Sequence, residues 1–269
     1  MNSSSSAPGP RVVVAGDSWV RGLTRTGSGS IARLFPAACS ASEVLDVSLI
    51  SRTVPETVAG HLDEIKRFRP DLALLGIGGA DSLVFPALWF QKLIDRFAPP
   101  EWAGVTGLMP PAVLPRDRRQ RLRKKVEIFG KTVIKQFMIN AFGARRRVPL
   151  AEVESAAREL LDTLARSGTV VVVLGCSDVD HLTFPKSTKN IRATNAMLER
   201  LCESHPDALY LDTRTTVDKW DDYLEDHVHL TREGSRKVCD AVVASMVGAG
   251  GRWAAQFAPR EVSPTAAAG

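Results

Sequence analysis

The sequence predicts an α/β fold in which helices cover both faces of a five-stranded parallel sheet. Short β-branched runs recur along the chain, and each is followed by turn residues and then by a helix-like apolar period. The fourth run is almost entirely valine, as expected for a strand buried on both faces. With 269 residues and 44% hydrophobic content, the chain can bury the core of one large domain.

Each predicted element follows from that alternation. The strand pattern covers residues 11–15, 44–50, 71–77, 169–174 and 209–212. The helical pattern covers residues 20–34, 55–67, 86–97, 150–167, 190–204 and 232–247. Glycines 248, 250 and 251 are expected to end the last helix.

The connection between the third and fourth strands is too long for a simple crossover and predicts a lid-like helical insertion at about 85–149. Prolines in 99–115 indicate an irregular loop. A basic amphipathic helix is expected to follow, and we expect its apolar stripe to pack on the body with the arginines outward. The stripe consists of Val126, Phe129, Val133, Phe137 and Ala141, widened by Ile134 and Met138.

The remaining organisation is expected to be simple. Residues 1–10 form a Ser/Pro/Gly tail without the basic and apolar regions of a secretory signal, 11–252 one domain, and 253–269 a second tail. No apolar run is long enough for a membrane span, so a soluble protein is expected. The four cysteines are isolated and lack metal or disulfide spacing, which favours free thiols and a cytoplasmic location.

Charge is unevenly distributed along the chain. The formal net charge is +5, yet the segment 116–147 holds twelve Lys or Arg against Asp117 and Glu127. Such a segment is either a solvated face or a docking surface for an acidic carrier protein that delivers a thioester, or for an anionic membrane. Nucleic acid is not expected as a partner, because the basic run lacks interleaved aromatic residues and a recognition motif.

The first strand ends in Gly16-Asp17-Ser18. Open α/β sheets place their ligands at the carboxyl ends of the strands, and Ser18 stands there as a candidate nucleophile. Asp and Ser are also ordinary helix caps, so the tripeptide alone leaves both interpretations open.

A candidate base lies before the last helix, in Asp226-His227-Val228-His229-Leu230. A serine hydroxyl must lose its proton to attack a carbonyl, and a histidine held by a carboxylate can take that proton. Asp226 and His229 follow the fifth strand at the same sheet edge as Ser18. His227 is interpreted as a solvent or packing residue. The alternative interpretation of the whole segment is that Asp226 merely caps the last helix.

Together these two segments resemble the first and last blocks of the SGNH/GDSL hydrolase superfamily, GDS and DxxHL. The resemblance covers the chain except the tails and the insertion. It implies a three-layer flavodoxin-like fold with strand order 2-1-3-4-5. It also implies that Ser18 forms an acyl-enzyme on a small ester or thioester, that His229 is the base, and that Asp226 orients it. Such chemistry needs no metal and no cofactor.

The middle blocks of that superfamily are altered here. The second block normally contributes a glycine N–H to the oxyanion hole, and its equivalent lies near Ser51 and Arg52, so the N–H of Arg52 is the expected donor. The third block, normally GxND, reads Gly78-Gly79-Ala80-Asp81, with Ala80 in place of the asparagine. Losing one such donor costs about 100- to 1,000-fold in turnover, unless Ser18 N–H, Gly79 N–H or a residue of the insertion compensates.

His181 follows the fourth strand at the same sheet edge and is expected to line the substrate pocket. The neighbouring Asp178 and Asp180 are too few to indicate a metal site. Three functions stay open: an esterase; a hydrolysis-impaired acyltransferase fed by a carrier protein; and a non-catalytic binding module, which retention of all three triad residues disfavours.

Overall fold

The computed structural model describes residues 9–23, 29–97, 115 and 117–251, and its centre is a five-stranded parallel sheet. The strands are β1 Arg11–Gly16, β2 Glu43–Asp46, β3 Leu72–Gly76, β4 Val84–Pro86, β5 Ala144–Arg146, β6 Val170–Leu174 and β7 Ala208–Leu211. The central sheet has the order β2-β1-β3-β6-β7. This confirms the predicted order, because β6 and β7 are the fourth and fifth predicted strands.

Helices cover both faces of this sheet in three layers. They are α1 Ser18–Arg21, α2 Ile31–Ala38, α3 Val54–Phe68, α4 Gly79–Ser82, α5 Leu88–Phe97, α6 Arg118–Ala141, α7 Leu150–Arg166, α8 Ser187–Glu203 and α9 Arg232–Ala249. One buried cluster joins the sheet to α3, α7 and α8, and another joins it to α2 and α9. Alternate strand residues such as Val13 and Val14 belong to opposite clusters, because successive side chains point to opposite faces.

Two predicted boundaries were wrong for identifiable reasons. The helix predicted at 20–34 is divided into α1 and α2, since Gly22 has a φ of +72° and ends α1 after one turn. The strand predicted at 44–50 ends at Asp46, whose carboxylate accepts the backbone N–H and the hydroxyl of Ser48 at 2.9 and 2.5 Å. The chain stays beside β1 for a few more residues, since the N–H groups of Val47 and Leu49 donate to the carbonyls of Val14 and Gly16.

The insertion is closed at its base by a two-stranded antiparallel pair. Phe85 of β4 lies opposite Arg145 of β5, so the residues that begin and end the insertion are adjacent. The helix predicted at 86–97 begins at Leu88, because the chain before it pairs as β4. The predicted loop 99–115 and the tails beyond residues 9 and 251 lie almost wholly outside the described residues.

The predicted orientation of the basic helix was wrong. In α6 the predicted stripe faces outward, with Val126 65%, Phe129 71% and Phe137 60% exposed, whereas Lys131 and Lys135 are buried. Of the predicted stripe only Met138 is buried. Lys135 Nζ donates to the carbonyl of Thr183 at 2.7 Å, and Gln136 donates to the carbonyls of His181 and Leu182. Backbone carbonyls on the body therefore attract the polar side of α6.

None of the helices in the described part of the chain is both long and apolar enough to cross a membrane.

Candidate active site

Ser18 lies where β1 gives way to α1, and Asp17 fixes the turn between them. The Asp17 carboxylate accepts the backbone N–H of Trp19 at 2.9 Å and that of Ala80 at 2.8 Å. It therefore ties the end of β1 to the end of β3. Gly79 is required for this approach, because a Cβ there would lie 2.9 Å from the Asp17 carboxylate. Burial raises the pKa of Asp17 and outweighs the two N–H donors, which act in the opposite direction.

A loop between β7 and α9 brings His229 to Ser18. The Nε2 atom of His229 lies 2.8 Å from Ser18 Oγ, and its Nδ1 lies 2.5 Å from Asp226 Oδ2. The second oxygen of Asp226 accepts the backbone N–H groups of Val228 and His229, both at 3.0 Å. A bond from Leu224 N–H to the His229 carbonyl at 2.7 Å closes the loop.

Asp226 is held as a carboxylate. Burial acts to raise its pKa, but the hydrogen bond and charge of His229 and the two backbone N–H donors outweigh burial, so the pKa lies below its ordinary value. An ionised Asp226 requires a proton on Nδ1 of His229. The Nε2 atom that faces Ser18 is then the free base, which is the arrangement needed to activate a hydroxyl.

His227 forms a second histidine–carboxylate pair that does not include Ser18. Its Nδ1 lies 3.6 Å from Asp180, and its ring packs edge-on against Trp220 with centroids 4.8 Å apart. His227 has a left-handed backbone conformation, with a φ of +54°. The structure thus gives His227 the packing role that was expected of it.

Two backbone N–H groups are available to hold an oxyanion. Ser18 and Gly79 are the first residues of α1 and α4, so neither N–H has an acceptor within its own helix. Ala80 cannot contribute its N–H, which donates to Asp17. Ala80 and Gly79 both line the pocket beside Ser18, as expected for the altered third block.

Arg52 does not occupy the expected position. Its backbone N–H donates to the carbonyl of Leu49 at 3.2 Å, and its guanidinium lies 3.2 Å from His61 Nε2. Its neighbour Ser51, which has a φ of +56°, lines the pocket instead. The tight turn that ends at Arg52 uses the N–H that had been assigned to the oxyanion.

A mostly apolar pocket opens beside Ser18 and His229. Its apolar walls come from several loops and strands: Ile77, Leu83, Leu174, Val179, Phe184, Ile191 and Val228. A pocket with this lining suits an acyl chain or another small apolar group. His181 is not among the lining residues; its side chain is exposed, and its Nδ1 lies 3.3 Å from the Thr188 hydroxyl.

Arg147 is a pocket residue that the sequence did not single out. It follows β5 at the end of the insertion, its backbone N–H donates to the Leu83 carbonyl, and its guanidinium lies 3.9 Å from Glu56. Burial raises the pKa of Asp17 and of Asp81, and the positive charge of Arg147 acts to lower both. Only its membership of a basic segment was visible in the sequence.

Asp81 follows Ala80 in α4 and is fully buried. Its carboxylate accepts the N–H of Val54 at 3.0 and 3.3 Å. Burial, with a further contribution from the charge of Asp17, raises its pKa to about 7. Within the described ranges, no group of three or more His, Cys, Asp or Glu residues could hold a metal ion.

The chain is similar to known proteins in sequence pattern and in fold. A model of the GDSL-like lipase/acylhydrolase family matches residues 14–237. No curated protein matches the chain significantly. Three solved structures illustrate the similarity of fold. LAE5, an alpha/beta hydrolase enzyme from the metagenome of Lake Arreo in Spain, is 15% identical with a TM-score of 0.56, over 89% of this chain and 96% of that one. TesA is 12% identical with a TM-score of 0.54, over 88% and 97% of the two chains. Axe2, an acetylxylan esterase from Geobacillus stearothermophilus, is 14% identical with a TM-score of 0.54, over 96% and 98%.

Proposed function

The chain belongs to the GDSL-like lipase/acylhydrolase family, and from this premise we propose that it is a serine hydrolase that cleaves acyl esters or thioesters through Ser18, His229 and Asp226. One observation carries the proposal: the continuous hydrogen-bond chain from Ser18 Oγ through His229 to Asp226, with contacts of 2.8 and 2.5 Å. A nucleophile, a base and a group that orients the base are the parts that acyl transfer requires.

The proposed reaction has two half-reactions, formation of the acyl-enzyme and its hydrolysis. Ser18 Oγ attacks the acyl carbonyl carbon as its proton passes to His229 Nε2. The resulting oxyanion is held by the N–H groups of Ser18 and Gly79. When the intermediate collapses, His229 returns that proton to the leaving alcohol or thiol. Water then repeats the same steps on the acyl-enzyme, which releases the acid and restores Ser18.

The oxyanion hole in this proposal has two backbone donors and lacks the side-chain amide that the superfamily places at the position of Ala80. The N–H of Ala80 is occupied by Asp17, so the deficit is not repaired at this residue. Turnover of simple esters is therefore expected to be slow, by about 100-fold or more relative to a site with the amide.

Acyl transfer is the second candidate. The pocket walls are mostly apolar, and an apolar pocket shields an acyl-enzyme from water, which favours an alcohol or amine acceptor that binds better than water. Transfer uses the same three residues and differs only in the second half-reaction. The ratio of transferred to hydrolysed product, measured with and without added acceptors, distinguishes the two.

The proposed chemistry can be tested by covalent labelling. Incubation with a fluorophosphonate should add one phosphonyl group to the wild-type chain, detected by intact mass and mapped by peptide analysis to Ser18. S18A should gain no mass, whereas H227A, the matched control, should label at nearly the wild-type rate. Labelling of S18A, or the absence of labelling in the wild type, would support a non-catalytic binding module instead.

We also propose that the protein works in a reducing compartment such as the cytoplasm. Cys39, Cys176, Cys202 and Cys239 are all unpaired and buried. Burial raises the pKa of each thiol, which keeps it protonated and unreactive.

A further inference from the structure

The outward side of α6 is an apolar stripe of unusual length. Leu122, Val126, Phe129, Val133 and Phe137 recur at spacings of three or four residues and are between 48% and 71% exposed. We call this stripe the α6 apolar face. It runs roughly 22 Å along the helix axis at 1.5 Å per residue. Contiguous exposed apolar surface of this extent marks an interaction site.

The helix cannot bury this face by rotating. Its inward side is held by Lys135, which donates to the Thr183 carbonyl at 2.7 Å and lies 4.4 Å from the Phe184 ring. Lys131 is also buried, and its ion pair at 3.0 Å is with Glu127 of the same helix. Turning the α6 apolar face inward would break the two Lys135 contacts with the body, so the face stays outward in this fold.

Aromatic residues extend the face beyond α6. Phe137 packs edge-on against Phe142, and Phe142 packs in the same way against Trp89, with ring centroids 5.9 and 5.5 Å apart. Trp89 and Phe142 are themselves about half exposed. The apolar surface therefore continues from α6 onto α5.

Basic side chains border the N-terminal part of the α6 apolar face on both flanks. By the 3.6-residue period, Arg118 and Lys125 project along one flank, and Arg119 and Arg123 along the other. All four are exposed. An apolar stripe with exposed cations on both sides of its N-terminal end complements an anionic lipid surface, in which headgroup phosphates lie above acyl chains.

We propose that α6 lies in the plane of an anionic phospholipid surface, with its apolar face among the acyl chains and its flanking cations at the headgroups. An acidic carrier protein, suggested by the charge of 116–147 alone, would require the cations but not a long exposed apolar stripe. The stripe therefore favours the lipid surface.

This position would bring the proposed active site close to the lipid. Arg121 of α6 lies 2.8 Å from Glu225, which precedes Asp226, and Lys135 holds Thr183, which precedes the pocket residue Phe184. An acyl ester drawn from the membrane would thus enter near its source. This consequence rests on the proposed function, whereas lipid binding itself does not.

Vesicle sedimentation tests the binding. The full chain is mixed with vesicles of phosphatidylcholine alone or of phosphatidylcholine with phosphatidylglycerol, and the bound fraction is measured at low and high salt. We expect binding to the anionic vesicles that weakens with salt. Replacing Phe129 and Phe137 with serine should weaken it at least about tenfold. Reversing Arg119, Arg123 and Lys125 to glutamate should weaken it on the order of 100-fold.

Matched controls separate this surface from general charge and apolarity. R67E/R158E/R200E changes net charge equally on α3, α7 and α8 and should alter binding by no more than about twofold at physiological salt. V44S/I50S removes exposed apolar residues elsewhere and should bind as the wild type does. Circular dichroism must show that every variant is folded. S18A should bind vesicles as the wild type does, so that a failure of lipid binding can be distinguished from a failure of the proposed catalysis.

Three outcomes would overturn the proposal. One is the absence of vesicle binding by the wild type; another is binding that the two serine substitutions leave unchanged. The third is binding of an acidic carrier protein, or dimerisation, that depends on α6 while vesicles bind no protein.

Discussion

Replacing Asp226 with asparagine is the sharpest test of the proposed triad, because it exchanges one carboxylate oxygen for an NH2 group and removes the charge with almost no change in side-chain size. In the wild type, one oxygen of Asp226 accepts two backbone N–H groups at 3.0 Å and the other accepts from His229 Nδ1 at 2.5 Å. An asparagine must keep its oxygen toward the two backbone donors. Its NH2 group then faces His229.

That exchange reverses the tautomer of His229. Nδ1 must accept from the new NH2 group, so the ring proton moves to Nε2, which lies 2.8 Å from Ser18 Oγ. Nε2 then donates to Ser18 and can no longer remove its proton. In serine proteases with the same hydrogen-bond chain, this substitution lowers turnover about 10,000-fold, which corresponds to roughly 5.5 kcal/mol of lost transition-state stabilisation.

The assay is hydrolysis of a p-nitrophenyl ester, with the rate of fluorophosphonate labelling as a second readout if turnover is slow. D226N should lower the rate severely but less than S18A or H229A, because removing the triad carboxylate alone costs less than removing the nucleophile or the base. The matched control is D180N, which alters the other histidine–carboxylate pair, 3.6 Å apart at His227. D180N and H227A should retain most activity. Retention of more than a tenth of the wild-type rate by D226N, or equal loss in D180N, would refute this assignment.

Three further predictions concern Ala80 and the two buried titratable residues Asp81 and Lys135. Ala80→Asn should raise hydrolysis of an activated ester by up to about 100-fold if the new amide reaches the oxyanion, and a lower rate would mean that Ala80 makes room for substrate. Asp81 has a folded pKa of about 7 against an ordinary value of 3.8, so its contribution to stability is present below about pH 4 and is lost as pH rises to about 7. D81N keeps an acceptor for Val54 N–H but cannot ionise. Between about pH 4 and pH 7 its free energy of unfolding should fall by up to roughly 4 kcal/mol less than that of the wild type, as measured by denaturant unfolding. Burial lowers the pKa of Lys135 from 10.5 to about 8, so wild-type stability should rise as pH rises from 8 to 10.5, and K135M should lack that rise in the same measurement.

The chain order of a few short segments sufficed to predict the sheet and to place Ser18, Asp226 and His229 at one edge. β-branched runs identify strands, and the carboxyl ends of parallel strands meet at the same edge of a sheet. Residues far apart in sequence can therefore be grouped from the order of the segments alone. The same logic placed Gly79 and Ala80 in the pocket, since both follow β3 directly.

Residues whose position depends on a turn could not be placed in this way. Arg52 and His181 lie close to the right sheet edge, yet a tight turn uses the N–H of Arg52, and the loop after β6 leaves the His181 ring exposed. Arg147 reaches the pocket only because β5 pairs with β4. That contact between the two ends of the insertion has no local signature.

The orientation of α6 shows most clearly what the sequence determines and what only the tertiary structure determines. Periodicity showed correctly that Val126, Phe129 and Phe137 share one side of a helix, because that depends only on 3.6 residues per turn. It could not show which side meets the body. The body offers the carbonyls of His181, Leu182 and Thr183 at that point, and an apolar side chain has no donor for them. Lys135 and Gln136 satisfy them, so the polar side turns inward and the apolar side is left facing out.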